Sequence, residues 1–487
     1  MTARRPVAPE VVARLKTLVG PSGWIEQPED VAPYCRSWRD DWEGRVPLVV
    51  RPASTEELAA VVRLCAETGT PIVPQGGNTG LTGASQPHPD MSEVIVSTSR
   101  LKAVRAVDTL NDTITVEAGV VLADIQRIAA EHDRLFPLSL GAEGSCQIGG
   151  NLSTNAGGTQ VIRYGNTRNL VLGLEVVLPD GRTWNGLRGL RKDNTGYDLK
   201  QLFVGGEGTL GIVTAVVLKL FPAVGARAAA WAGVADPEAA VALLGHLQAR
   251  CGDRLSTFEA MSRGQLDLVL AHVPGTRDPL GTPHPWSVLV EVTEGVGGPD
   301  PAERLEAALA GAFDDGLVAD AAVAATEAQV AAFWRLRDSV SEANRNAGYS
   351  VSHDTSVPIP AVPEFVRRAT AALEARPSRP RVVAVGHVGD GNIHLVAIFD
   401  RTGRSAAELR DEADAAGAEV HRIAADLGGS ISAEHGIGSA KRDELALHKA
   451  PLELELMRGI KRLFDPHDLM NPGKVLPPGD AAPDPAP

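Results

Sequence analysis

Three glycine-rich stretches, each beside an apolar strand-like segment, constrain this chain more than any other feature. The first, Pro74-Gln-Gly-Gly-Asn-Thr-Gly-Leu-Thr-Gly83, follows the apolar piece Pro71-Ile-Val-Pro74. Glycines at 76, 77, 80 and 83 leave backbone N–H groups uncovered and let the chain reach positive φ. Successive amides can then point into one concavity and hold an anion such as a pyrophosphate. The G-x-G-x-x-G spacing is absent, and so is the Lys-Ser/Thr ending of a P-loop. The second stretch, Gly141-Ala-Glu-Gly-Ser-Cys-Gln-Ile-Gly-Gly-Asn-Leu-Ser-Thr-Asn-Ala-Gly-Gly158, packs six glycines among Ser, Thr and Asn. The third is Phe203-Val-Gly-Gly-Glu-Gly-Thr-Leu-Gly-Ile-Val213. One such loop is compatible with a plain surface connection. Three of them suit a long ligand that carries phosphates, hydroxyls and a flat ring.

At 487 residues the chain exceeds one ordinary core, so two or three domains are expected. A helix is expected over 54–68, with Ser54 and Glu57 as capping pair, Leu58, Val61, Val62 and Cys65 at helical spacing, and Gly69 as stop. Strands are expected at 71–74, 93–97, 113–117, 170–178 and 211–220, with a turn at Pro179-Asp-Gly181. After Pro222 the composition turns alanine-rich. Helices at 236–250, 301–313 and 327–347 alternate with strands at 286–292 and 381–386, the pattern of helices packed on an antiparallel sheet. Residues 456–464 read as a final helix, and 478–487, a Pro/Ala/Asp tail, as disordered. The fold class is α+β.

A net charge of −14 argues against general nucleic-acid binding and leaves room for a local cationic pocket for a small anion. The cysteines, Cys35, Cys65, Cys146 and Cys251, show no C-x-x-C spacing, which favours a reduced cytoplasm. No signal-peptide core and no run of ~18 apolar residues is present, so no transmembrane segment is expected.

The three loops, in this order, resemble the FAD-binding domain of the vanillyl-alcohol oxidase/p-cresol methylhydroxylase superfamily. The likeness is greatest to the branch of D-2-hydroxyglutarate and D-lactate dehydrogenases and glycolate oxidase subunits. Arg191-Lys-Asp-Asn-Thr-Gly-Tyr-Asp-Leu-Lys-Gln-Leu202, just before the third loop, looks particularly like the D-2-hydroxyglutarate enzymes. The resemblance implies a two-subdomain FAD-binding domain over 1–222 and an α+β substrate, or cap, domain over 223–455. Residues 456–477 would return to the FAD domain. It puts Gly76, Gly77, Asn78 and Thr79 at the pyrophosphate, with Pro74 and Gly80 also among the cofactor-binding residues. Gly144, Ser145, Gly149, Gly150, Ser153, Asn155, Gly208 and Ile212 would line the rest of the flavin, and Asn471 would touch it from the C-terminal loop. With no His in the first loop the FAD is expected to be non-covalent, Cys146 being the residue that tempers this.

A second constellation lies in the distal half. Arg381-Val-Val-Ala-Val-Gly-His-Val-Gly-Asp-Gly-Asn-Ile-His-Leu-Val-Ala-Ile398 reads as two strands joined by a two-residue Asp390-Gly391 turn. His387 then faces His394, and two opposed imidazoles can bind one divalent cation or simply line a polar sheet face. In Ser430-Ile-Ser-Ala-Glu-His-Gly-Ile-Gly-Ser-Ala-Lys-Arg442, Glu434 would complete a His/His/Glu site with open positions. The resemblance assigns His387, His394 and Glu434 to the metal, Zn²⁺ first with Mn²⁺ or Fe²⁺ also suited, and His435 to proton transfer. A 2-hydroxy acid can chelate such a cation, His435 can take the hydroxyl proton, and hydride can leave Cα for flavin N5.

The resemblance also matches Arg337 and Ser341 to substrate-carboxylate contacts, and Asn392 is a further candidate. Many relatives carry Lys where Ser352 stands. His353 could replace it if turned inward; otherwise D-lactate or another short acid becomes the substrate. Electron-transfer flavoprotein or a quinone is the expected acceptor, and a homodimer the default oligomer. A zinc hydrolase would leave the glycine loops idle, and a non-catalytic FAD module would leave the His/His/Glu set idle.

Overall fold

The computed structural model describes residues 5–38 and 42–478, so the expected tail from 479 onward lies outside the described residues. The helix Thr55–Thr68 forms where its caps demand it. Ser54 Oγ accepts the Glu57 N–H at 3.2 Å, Glu57 returns a bond to Ala53 N–H, and Gly69 ends the helix at φ 64°. It leads into Ile72–Gln75, the edge of a four-stranded sheet that continues through Val94–Ser97, Val49–Val50 and Trp24–Ile25. Val94–Ser97, parallel to both of its neighbours, is buried throughout, as a central parallel strand should be.

A five-stranded antiparallel sheet follows, in the order Val104–Asp108, Thr113–Glu117, Ile212–Lys219, Val171–Val177, Thr183–Gly186. Glu175, buried on it, accepts hydrogen bonds from Thr55 Oγ1 (2.7 Å), Thr214 Oγ1 (2.9 Å) and Arg105 Nη2 (3.1 Å). That one carboxylate ties the helix Thr55–Thr68 to the second sheet. The final helix, Pro451–Phe464, packs Ile460 and Phe464 against the core of this sheet, and Met470 bridges to Ile72.

Residues from 224 onward build a seven-stranded antiparallel sheet. Its order is Asp320–Val323, Val224–Val234, Trp286–Gly295, Leu255–Ser262, Arg381–His387, Asn392–Phe399, Tyr349–Ser356. Alternation along the strands separates two cores. Ala384, Leu395, Ala397 and Phe399 join one core with helices Pro237–Cys251, Pro301–Asp314, Val362–Glu374 and Ala406–Asp426. Val383, Val385, Val396 and Ile398 join the other with Arg263–His272, Glu327–Asp338 and Val340–Ala347. The single helix expected over 327–347 is two helices that break at Ser339, and the final helix begins at Pro451 rather than 456.

The expected hairpin differs in register. Val388–Asp390 forms a 3-10 turn and Gly391 follows at φ 83°, where a Cβ would stand 2.2 Å from Val357 O. The loop is therefore four residues long, His387 faces Asn392, and His394 faces Val385. A slip of one residue would have turned one histidine away; a slip of two keeps both on the same face.

Leu395 is fully buried on the face opposite His394. Leu395→Ala is expected to destabilise the protein by about 2–5 kcal/mol, read as a lower urea midpoint at unchanged slope. A loss under about 1 kcal/mol would mean the sheet is not packed as described.

Candidate active site

Four adjacent strands of the large sheet bring one row of polar side chains to the same face. Strand Leu255–Ser262 contributes Glu259, Arg381–His387 contributes His387, Asn392–Phe399 contributes His394, and Tyr349–Ser356 contributes Asp354. His387 and His394 stand with ring centroids 5.6 Å apart. Glu434 completes the group from the loop after Ala406–Asp426. Its Oε1 lies 3.6 Å from His394 Nε2 and 3.9 Å from His387 Nε2, and all three donor atoms fall within 4.8 Å of one another. Two ligands on one ion at ~2.1 Å and tetrahedral angle sit roughly 3.4 Å apart, so this spacing suits a single divalent cation.

Glu259 fixes the first imidazole. Its Oε1 bonds His387 Nδ1, and its Oε2 accepts Arg337 Nε at 2.6 Å, which leaves His387 Nε2 facing the group. Burial works against the charge on Glu259, yet His387 and Arg337 hold its carboxyl at about 2. Burial likewise opposes a charged His387, but Glu259 lifts it to about 9. His394 goes the other way. Burial brings it to about 3, so at neutral pH it is a neutral imidazole, and a cation seated here would displace the proton that Glu259 favours on His387.

The loop carrying Glu434 and His435 is gripped from two directions. Asp354 Oδ2 accepts the Glu434 N–H at 3.1 Å and the His435 N–H at 2.9 Å, while its Oδ1 accepts Asn392 Nδ2 at 3.1 Å. Glu207, in the third glycine loop, accepts Ile437 N–H at 2.7 Å and Gly438 N–H at 2.8 Å. Burial raises the Glu207 carboxyl to about 7 in spite of those two donors. Asp354, Glu434 and His435 also cluster closely enough to suggest a second cation. Both Asp354 oxygens already serve N–H donors, which argues for a brace rather than a ligand.

A cavity of about 580 Å³ runs from this loop between the three glycine-rich stretches. Pro74, Gly76, Gly77, Asn78, Thr79, Gly80, Ser145, Gly149, Gly150, Ser153, Gly208 and Ile212, all expected at the cofactor, line it together with Ser341, Glu434 and His435. A Cβ added at Gly80 or Gly150 meets nothing within 4 Å, so packing does not require glycine there. Asn151 Oδ1 and Gln75 Oε1, also on this wall, are buried with no partner among the described residues. Small residues that open the wall and unpaired acceptors within it fit a bulky polar cofactor.

Five residues, Gly144, Asn155, Asn471, Asn392 and His353, are placed otherwise than the sequence reading expected. Gly144 does not line the cavity. Asn155 caps the helix Ile148–Thr154 at φ 50° and accepts Arg168 N–H. Asn471 braces the loops instead, donating to Ala84 O at 3.0 Å and Glu207 O at 2.8 Å. Arg337 keeps its expected place beside the histidines, with Nε on Glu259 and Nη2 3.5 Å from His387 Nε2, whereas the Asn392 amide nitrogen is taken by Asp354 and Thr355. His353 points away altogether. Alternation along Tyr349–Ser356 sends Asp354 to the site and His353 to the opposite face, 6.0 Å from the His421 ring, so it cannot stand in for an inward lysine.

Sequence reading missed Glu207, Glu259 and Asp354. Glu207 and Glu259 are acids set among apolar, small or glycine residues, the signal that marks a buried carboxylate, whereas Asp354 lies in the polar run Ser352–Ser356 and carries no such signal.

The model for the C-terminal domain of FAD linked oxidases matches residues 225–475, and that for an FAD binding domain matches 46–186. The mitochondrial D-2-hydroxyglutarate dehydrogenase of Bos taurus is 39% identical over 97% of this chain and 84% of its own length. The D-2-hydroxyglutarate–pyruvate transhydrogenase of Saccharomyces cerevisiae is 35% identical over 93% of this chain and 90% of its own. Among solved structures, p-cresol methylhydroxylase with substrate bound superposes with a TM-score of 0.75 at 17% identity, over 97% of this chain and 98% of that one. This confirms the expected α+β fold of the vanillyl-alcohol oxidase type. Mitochondrial names among the relatives give the expected cytoplasmic location no support. Among the described residues no helix is long and apolar enough to cross a membrane.

Gly150→Leu tests the cavity directly, since the new side chain has open space and a helix favours leucine. The variant is expected to fold with unchanged far-UV circular dichroism and to purify without flavin absorbance; full FAD content would place the cofactor elsewhere. Both halves of the chain match, and so does nearly its whole length: the chain belongs to the FAD-linked oxidases and is an FAD-dependent oxidoreductase.

Proposed function

We propose that the chain oxidises a D-2-hydroxy acid to the 2-oxo acid, with D-2-hydroxyglutarate as the leading substrate and D-lactate as the second reading. The observation that carries this is the meeting of Glu434 and His435 with the three glycine-rich loops on one cavity. The names of the bovine and yeast relatives support the dicarboxylate. A Schizosaccharomyces pombe relative, 33% identical over 95% of this chain and 89% of its own, is named a putative D-lactate dehydrogenase and keeps the shorter acid in view.

His387, His394 and Glu434 would hold the divalent cation, with Zn²⁺ suited to two imidazoles and a carboxylate, and Mn²⁺ or Fe²⁺ to the same donors. When bound, FAD supplies a hydride acceptor, and the cation supplies a Lewis acid that eases loss of the substrate hydroxyl proton.

His435 is the base. Its backbone N–H is anchored on Asp354, Thr82 Oγ1 donates to its carbonyl at 3.3 Å, and its ring Nδ1 stands 3.6 Å from Asp354 Oδ2 while Nε2 has no hydrogen bond among the described residues. The imidazole is thus oriented and still has a nitrogen for the incoming proton. Arg337 Nη2 lies 3.5 Å from His387 Nε2, so a guanidinium stands beside the ligand nitrogens to grip the substrate carboxylate. Ser341 and Arg345, one turn apart on Val340–Ala347, share the cavity wall; Arg345 is the cation available to a second carboxylate. FAD is held without a covalent bond. The first loop has no His, and burial raises the Cys146 thiol, keeping it protonated on the cavity wall.

The purified protein is expected to be yellow and, without oxygen, to be bleached faster by D-2-hydroxyglutarate than by D-lactate. The reverse order selects the second reading, and bleaching by neither acid rejects the function. His435→Ala is expected to keep its FAD and to reduce it about 10²–10⁴-fold more slowly, whereas a wild-type rate would remove His435 as base. Asp354→Asn sets an amide against the His435 N–H and is expected to slow reduction roughly 10²-fold with FAD retained; no change would mean the loop is held by other contacts.

A further inference from the structure

The final helix, Pro451–Phe464, is apolar on two opposite faces. On the inner face Leu454 is buried, Ile460 and Phe464 pack on the core, and Lys461 Nζ bonds Thr209 O at 3.0 Å and Met470 O at 2.8 Å. On the outer face Leu452, Leu456 and Leu463 are 63%, 59% and 78% exposed. At 100° per residue, Leu452, Leu456, Gly459 and Leu463 fall on one stripe, nearly opposite Leu454 and Lys461. Their spacing of four, three and four residues is the seam of a two-stranded coil. A surface helix ordinarily turns a polar face outward, and this one does not. At Gly459 an added Cβ meets nothing within 4 Å, so a second helix can come close there.

The charges select the occupant. Glu453 and Glu455 lie in the first half of the helix; Arg458, Lys461 and Arg462 lie in the second. We propose that this face pairs two copies of the chain through antiparallel final helices. A two-fold axis near the middle of the stripe sets Leu452 against the partner's Leu463 and Leu456 against the partner's Gly459. Beside that seam Glu455 meets the partner's Arg462, and the symmetry repeats the pair. The charge pattern complements itself when reversed, which is what a second copy requires and an unrelated partner does not. This pairing is independent of the substrate.

Sedimentation velocity of the FAD-loaded protein at micromolar concentrations is expected to give twice the mass of one chain. L456E, E455R and R462E should each give the single-chain mass with FAD content and activity retained. The double reversal E455R/R462E should restore the doubled mass, because the two residues again carry opposite charges. A single-chain mass for the unmodified protein, or a doubled mass that L456E leaves untouched, overturns the proposal. Failure of the double reversal to restore what each single change abolished overturns the antiparallel register.

Discussion

Four backbone N–H groups of one short loop, held by two buried carboxylates from opposite sides, set the geometry on which the site depends. Asp354, rooted in the large sheet, takes those of Glu434 and His435, and Glu207, rooted in the third glycine loop, takes those of Ile437 and Gly438. Hydrogen bonds to charged acceptors contribute about 1.5–3 kcal/mol each, and a buried carboxylate without donors is strongly unfavourable, so loop and acids stabilise each other. The consequence is positional: Glu434 and His435 are referenced at once to the sheet that carries the histidines and to the wall of the cavity between the glycine-rich loops. Close approach has its own demand, since a Cβ at Gly438 would lie 2.1 Å from Thr82 O on a backbone already at φ 54°.

The sheet supplies the other half of the arrangement through its period of two. Glu259, His387, His394 and Asp354 share a face because each is an even number of residues from a valine, methionine or cross-strand partner on that face. The electrostatics follow from who faces whom. Burial lowers both imidazoles; Glu259 outweighs it at His387, whereas at His394 burial prevails and two imidazole neighbours add to it. Glu207 is separate from this row, and its raised pKa comes from burial alone.

What could be read from the sequence was whatever is encoded locally. The capped helix Thr55–Thr68 and the glycine loops carry their own signals, and twelve of the fifteen flavin-side residues inferred from the resemblance do line the cavity. The strand Val224–Val234 went unread because alanine is a poor strand former, and Ala406–Asp426 because its Ser405–Glu408 capping box sits among charges. The hairpin register depended on a 3-10 turn that an Asp-Gly pair does not announce. His353 was misplaced because Tyr349–Ser356 is too polar to show its alternation. The carboxylate braces were missed for a different reason. Glu207 and its loop are more than two hundred residues apart, and no spacing rule reaches across that distance.

The central claim is that His387, His394 and Glu434 converge on one divalent ion at the wall of the flavin cavity. Anomalous diffraction from crystals of the FAD-loaded protein, collected on both sides of the zinc absorption edge, tests it without reference to substrate. The account predicts one peak between the two Nε2 atoms and the Glu434 carboxylate, within about 2.0–2.2 Å of each ligand and absent below the edge if the metal is zinc. A metal bound elsewhere, or imidazoles hydrogen-bonded to Glu434 with no scatterer between them in metal-replete protein, would contradict it.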